Sequence, residues 1–232
     1  RVFNIAANTF NDSYPSAFHH QIGGYSAAKL RRYQDLIDFY LSRHINTNVL
    51  NMLNARYFVV PNGQGGTTVQ RNVAALGNAW FVDEVEYVNN ANEEIEAIHG
   101  LDPIKTAIVD KKFESVVQSL PSDSTATIEL VAYEPNYLKY EVSSEKGGTV
   151  VFSEIYYPGW KSTIDGQEVA HGRANYILRA MNVPAGKHVV EFRFDPTSLH
   201  VTENIAFIAL GLLALLAIVT IVLKIKACRK AE

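Results

Sequence analysis

The sequence predicts an α+β fold: an N-terminal helix with a mixed α/β part, then an antiparallel β-sandwich, then one C-terminal transmembrane helix. Three observations carry this. Apolar residues recur at helical spacing early in the chain, short β-branched and aromatic runs separated by turn residues dominate after residue 120, and an uninterrupted apolar run lies near the end. With 232 residues, 47% hydrophobic and 19% charged, the chain has ample material for a core, which excludes a disordered or collagen-like protein. A net charge of −3 argues against a nucleic-acid partner, which would call for a basic face.

Ala27, Leu30, Tyr33, Leu36, Ile37, Tyr40 and Leu41 place one helix from Ser26, as N-cap, to about His44. Arg56–Val60 predicts a strand stopped by Pro61-Asn62-Gly63, and the run 79–88 predicts another with its acids exposed. A short amphipathic helix is expected over Glu93–His99, with Ile95 and Ile98 inward and Glu93 and Glu94 on the solvated face, and a strand over 106–110. Pro121-Ser122-Asp123-Ser124 is a turn-rich linker. Beyond it, six short strands are expected at 127–133, 137–143, 149–155, 161–164, 175–181 and 187–194. Asp165-Gly166 is the strongest hairpin signal among them. The organisation expected is therefore an α+β part over 1–120, a β-sandwich over 121–200, a span over 203–223 and a basic tail over 224–232.

Ile205 to Leu223 contains no charge, and a helix of that length covers about 28 Å, close to the hydrocarbon core of a bilayer. Lys224, Lys226, Arg229 and Lys230 follow it, so the tail is expected in the cytoplasm and the body outside. About two hundred residues must then have crossed the membrane, although the sequence opens on Arg1-Val2-Phe3-Asn4 without a signal-peptide pattern. Either a removed signal or upstream spans of a longer protein would have delivered them. The single Cys228 falls in the tail, which leaves the body without a disulfide.

Catalytic signatures are absent: no Walker loop, dinucleotide fingerprint, HExxH or cysteine-based metal site occurs. His19-His20 are adjacent and point to opposite faces if extended, a poor bidentate pair, so no metal or cofactor is expected. Two features remain. In Ile22–Leu36 a Gly23-Gly24 pair precedes a helix whose first turns carry Lys29, Arg31 and Arg32. The glycines let the backbone approach a ligand, cations at a helix start oppose its dipole and so can mark a site for an anion such as a phosphate, and Tyr25 lies beside them. A solvated face with weak pairs such as Arg32–Asp35 accounts for the same residues. In Tyr156-Tyr157-Pro158-Gly159-Trp160 three aromatics surround a turn, suited either to stacking on a sugar or to closing the end of a sandwich.

The blocks IGGYSAAKLRRYQDL (22–36), LNMLNARYFVV (50–60), NAWFV (78–82), YYPGWKSTIDG (156–166) and VPAGKHVVEFRF (183–194), with the closing apolar helix, resemble the C-terminal region of the YfhO family. That family comprises polytopic bacterial membrane proteins similar to GT-C glycosyltransferases. The resemblance implies upstream transmembrane helices of the same protein, an inner-membrane location with the body periplasmic, and a sugar delivered on a polyprenyl phosphate to a glycan acceptor. The catalytic acid of such enzymes lies on an early loop outside this sequence. This part is then expected to be accessory, with Tyr25, Lys29, Arg31, Arg32, Tyr156, Tyr157 and Trp160 as candidate contacts to phosphate or glycan. The alternative is a non-enzymatic, membrane-tethered β module that binds an envelope glycan or a protein partner. A self-contained hydrolase has no motif to support it.

Overall fold

A computed structural model describes residues 1–42, 44–121 and 123–230, without the side chains of Cys228 and Lys230. Ser122 of the expected linker and Ala231 and Glu232 of the expected tail lie outside the described residues. The chain divides into two compact units, residues 1–157 with 161–193, and residues 158–160 with 194–232.

The elements of the mixed part are β1 (Val2–Asn4), α1 (Arg31–Tyr40), α2 (Thr47–Met52), β2 (Tyr57–Pro61), β3 (Thr67–Arg71), β4 (Ala79–Val82), β5 (Glu84–Val88), α3 (Ala91–Ala97) and β6 (Thr106–Asp110). The β-rich part adds β7 (Thr127–Glu134), β8 (Tyr137–Ser144), β9 (Gly148–Ile155), β10 (Trp160–Ile164), β11 (Gln167–Glu168), β12 (Gly172–Ala174), β13 (Leu178–Val183) and β14 (Gly186–Phe194), and α4 (Thr197–Lys230) follows. The α+β class and the apolar C-terminal helix read from the sequence are both present.

Three sheets form, in the orders β1-β2-β3, β11-β10-β14-β8-β7 and β4-β9-β13-β12-β6-β5. Most neighbours are antiparallel, while β1 with β2 and β5 with β6 run parallel. The six-stranded sheet joins strands from both sides of residue 120, so the expected parts 1–120 and 121–200 share one sheet. Inward residues of β8 and β14 meet β9 of that sheet: the rings of Tyr140, Phe152 and Phe192 lie 4.8–6.1 Å apart, edge to face, and all are fully buried. A second apolar cluster gathers Leu36, Ile37 and Tyr40 of α1, Leu50 and Met52 of α2, Ile95 of α3 and Ile108 of β6.

Several elements depart from expectation for identifiable reasons. The first helix starts at Arg31, not Ser26, and ends at Tyr40. Ser26 Oγ instead accepts from the Ala28 N–H in a turn, while residues 20–24 are held by backbone bonds to Val2 and Thr9. The run 79–88 is two strands on opposite edges of one sheet. It breaks at Asp83, where the Asp83 and Glu84 N–H groups both donate to Lys105 O and turn the chain. The strand expected over 175–181 begins only at Leu178, because Asn175 and Tyr176 both take positive φ (49° and 72°) in a tight connection from β12. β1 and β3 went unforeseen; β3 is exposed along its whole length and lacks the alternation that marks a half-buried strand. The Asp165-Gly166 hairpin forms as read, with φ of 51° and 79°.

α4 includes 31 residues, Thr197–Ala227, and its most apolar 18-residue stretch has a mean hydropathy of 3.0 with none of it buried. It is long and apolar enough to cross a membrane, and it begins before the expected span at 203. A helix apolar on every face is at home in lipid, where its backbone bonds are internally satisfied.

Candidate functional site

The glycine pair of 22–36 makes room for the protein's own backbone. A Cβ on Gly23 would lie 1.9 Å from Thr9 O, and Gly24 N–H donates to the same carbonyl at 2.7 Å. Tyr25 is 62% exposed and Lys29 half-buried. Arg31 occupies the first turn of α1 and bonds Asp35, Nε to Oδ1 2.8 Å, with its side chain 86% exposed. Arg32 turns inward: its Nη1 lies 2.8 Å from Glu94 Oε2 and 3.2 Å from Tyr176 O, and its guanidinium sits 4.3 Å from the centre of the Tyr176 ring.

Glu94 is the residue whose role the sequence hides. Assigned to the solvated face of α3, its side chain is instead 0% exposed, because Arg173 from β12 closes over it with Nη2 2.9 Å from Oε2. Arg173 also lies 3.6 Å from Asp110, which pairs with Lys112 at 3.2 Å. Burial works to raise the Asp110 carboxyl, but the Lys112 N–H and the Lys112 and Arg173 charges outweigh it and hold it below its ordinary value. The Tyr176 hydroxyl donates to Asp35 at 3.0 Å, and burial first, then that bond, raises its pKa. The network alternates in sign and ties α1, α3, β6 and β12 together. Both arginines of the candidate set therefore carry carboxylate partners.

The aromatic turn falls in both compact units. In the first, Tyr156 is half-buried between the rings of Phe113 and His171 at 5.5 and 5.7 Å, and Tyr157 is 45% exposed. In the second, the Trp160 ring lies 5.5 Å from that of Phe194, and Gly159 takes φ of 100° where a Cβ would meet Pro196 at 2.8 Å.

A cavity of about 240 Å³ opens elsewhere, lined by the apolar Leu130 and by six polar or aromatic residues, Arg1, His20, Asn54, Asn78, Tyr133 and Glu154. Arg1 Nη2 bonds Glu154 Oε1 at 2.8 Å, and its Nη1 bonds Ser153 Oγ at 2.8 Å and Leu53 O at 2.9 Å. Asn54 Nδ2 donates to Asn78 Oδ1 at 2.9 Å, and the His20 ring meets Tyr133 edge-on at 5.5 Å. These six residues are scattered along the first 154, and no local spacing joins them. Asn54 alone gave a signal, a residue fit for positive φ (56°) just after α2, and that signal points to a helix end. Among the described residues, no group of three His, Cys, Asp or Glu side chains is placed to hold a metal.

Residues 105–206 match the family model described as Bacterial membrane protein YfhO. The match takes in the blocks at 156–166 and 183–194 and the start of α4, and leaves those at 22–36, 50–60 and 78–82 outside. No curated protein and no solved structure matches the chain significantly.

Proposed function

We propose, for a chain whose residues 105–206 are a YfhO-family segment, that it is an extracytoplasmic module of a polytopic bacterial inner-membrane protein and serves as an accessory domain in sugar transfer from a lipid-linked donor. The observation that carries the reading is the continuity of that segment from β6 through β14 into α4, the helix long and apolar enough to cross a membrane. Lys224, Lys226, Arg229 and Lys230 support a cytoplasmic tail and a periplasmic body. The upstream spans of the parent supply catalysis; this module presents acceptor glycan or donor phosphate above the membrane. Tyr25 and Arg31 are exposed for that task, Lys29 is half-buried, and Arg32 is bound inward to Glu94.

The second reading, a tethered module that binds an envelope glycan or a protein partner without taking part in catalysis, draws on the exposed rings of Tyr25 and Tyr157. Thiol labelling with a membrane-impermeant maleimide, mapped by peptide mass spectrometry, tests the placement common to both. Val73→Cys, at a position 88% exposed, is expected to label in intact cells and Cys228 only after permeabilisation. The reverse pattern overturns it. Lys29→Ala combined with Arg31→Ala is expected to lower sugar transfer by the full-length protein without unfolding it. Unchanged transfer moves the function to the tethered module.

A further inference from the structure

We propose that the cavity bounded by Arg1, His20, Asn54, Asn78, Tyr133 and Glu154 binds one neutral, hydroxyl-rich ring, a single sugar unit of a glycan; this deepens the reading of the chain as a glycan-facing module. Size sets the first limit. At about 240 Å³ the space lies below the roughly 300–1,000 Å³ of pockets for drug-sized ligands and suits one small ring.

Charge sets the second limit. Among the side chains that line the cavity, Arg1 and Glu154 are an oppositely charged pair, already bonded to each other at 2.8 Å. A phosphate would add a negative charge beside Glu154, whose carboxylate already holds the Arg1 guanidinium, so the wall favours an uncharged occupant. Hydroxyl groups, which both donate and accept, fit such a wall: the carboxylate accepts, the guanidinium donates, and the amides of Asn54 and Asn78 do both. Asn54 is only 5% exposed, and its Oδ1 accepts no hydrogen bond. A buried acceptor left without a donor is costly.

The wall is also built to hold its shape. Ser153 Oγ accepts from Arg1 and donates to Met52 O at 2.8 Å, and Ser153 N–H donates to Asn78 O at 2.8 Å, so β9, the end of α2 and the start of β4 are pinned together behind the polar groups. Preorganisation of this sort reduces the ordering cost of binding. Tyr133 is half-exposed and backed edge-on by His20, and its ring supplies the apolar surface on which the C–H face of a sugar packs.

The test uses the full chain in detergent with the methyl glycosides of glucose, galactose, mannose and N-acetylglucosamine as uncharged probes. Inorganic phosphate and glucose 6-phosphate serve as charged ones, with binding read by saturation-transfer NMR and calorimetry. At least one methyl glycoside is expected to bind, tenfold or more weakly in Tyr133→Ala and in Asn78→Ala, with the unfolding midpoint of Tyr133→Ala unchanged. The proposal is overturned if the folded wild type binds no glycoside, if Tyr133→Ala binds equally well, or if glucose 6-phosphate outcompetes methyl glucoside in a Tyr133-dependent way. Outside labelling of Val73→Cys without glycoside binding removes this ligand and leaves the extracytoplasmic reading standing. Glycoside binding with Val73→Cys labelled only from the cytoplasm keeps the ligand and removes that reading.

Discussion

Arg32 and Arg173 share one carboxylate oxygen, Glu94 Oε2, at 2.8 and 2.9 Å, although they lie 141 residues apart and Glu94 has no exposed surface. Removing one partner of a buried ion pair leaves an uncompensated charge, at a cost of about 3–5 kcal/mol. Glu94→Ala takes the near carboxylate from both Arg32 and Arg173, leaves Arg173 only its longer 3.6 Å contact with Asp110, and is expected to lose stability on that scale. Arg32→Ala leaves Glu94 with Arg173 and keeps part of the network, so its loss is expected to be smaller, about 1.5–3 kcal/mol for a charged hydrogen bond. Urea unfolding of the chain in detergent, followed by fluorescence of the buried Trp80, checks the order. Equal stability of Glu94→Ala and wild type would contradict the network.

Arg31 behaves differently from its neighbour. Its bond to Asp35 joins an exposed side chain to a residue one turn away, an arrangement worth about 0.3–0.5 kcal/mol at most. Arg31→Ala is expected to unfold within about 0.5 kcal/mol of wild type. Any fall in sugar transfer by that variant then reports a contact and not a folding defect. A double substitution of Arg31 and Arg32 would mix the two effects.

Much of the β-rich half was legible because its signals are local. The hairpin at Asp165-Gly166 follows from two residues that tolerate positive φ, the strands 127–134 and 137–144 from alternation, and 148–155 from a β-branched run after Gly147-Gly148. What stayed hidden depends on distant partners. Glu94 looks like any acid on a short amphipathic helix until Arg173 and Arg32 are brought over it. The run 79–88 looks continuous until Lys105 O claims two of its N–H groups. The cavity has no sequence signature, since each of its polar residues reads as an ordinary surface group on its own element.

Gly23 precedes the candidate anion site, and its close neighbour is Thr9 O of the same chain. An added Cβ at 1.9 Å from a backbone atom forces one of the two segments to move. Gly23→Ala is expected to lose about 1–3 kcal/mol, as overpacking does. It is also expected to speed hydrogen exchange at the Gly24 amide, which donates to Thr9 O. Unchanged exchange there would show that this contact does not hold the segment.

His171 gives the fold a dependence on acid. Its ring lies 5.7 Å from Tyr156 and 5.2 Å from Phe192, and its Nδ1 is 2.8 Å from Ser162 Oγ. Burial, reinforced by the Arg179 charge, pushes its pKa from 6.5 down to about 4. Between those values the unfolded chain binds a proton that the folded chain refuses, so stability falls as pH drops from about 6.5 towards 4 and no further from this group below that. The full span corresponds to about 3 kcal/mol. His188 runs the other way: its hydrogen bond to Asp165 raises its pKa, and the stability it adds is present below pH 6.5 and fades as pH climbs through the raised value. Asp110 and Asp165 are held below their ordinary range, so their contributions are lost only at lower pH than the upper part of the His171 window. Unfolding free energies measured from pH 7 to 5 are therefore expected to decline in the wild type and to flatten in His171→Gln. A decline of equal slope in both would assign the acid sensitivity to another group.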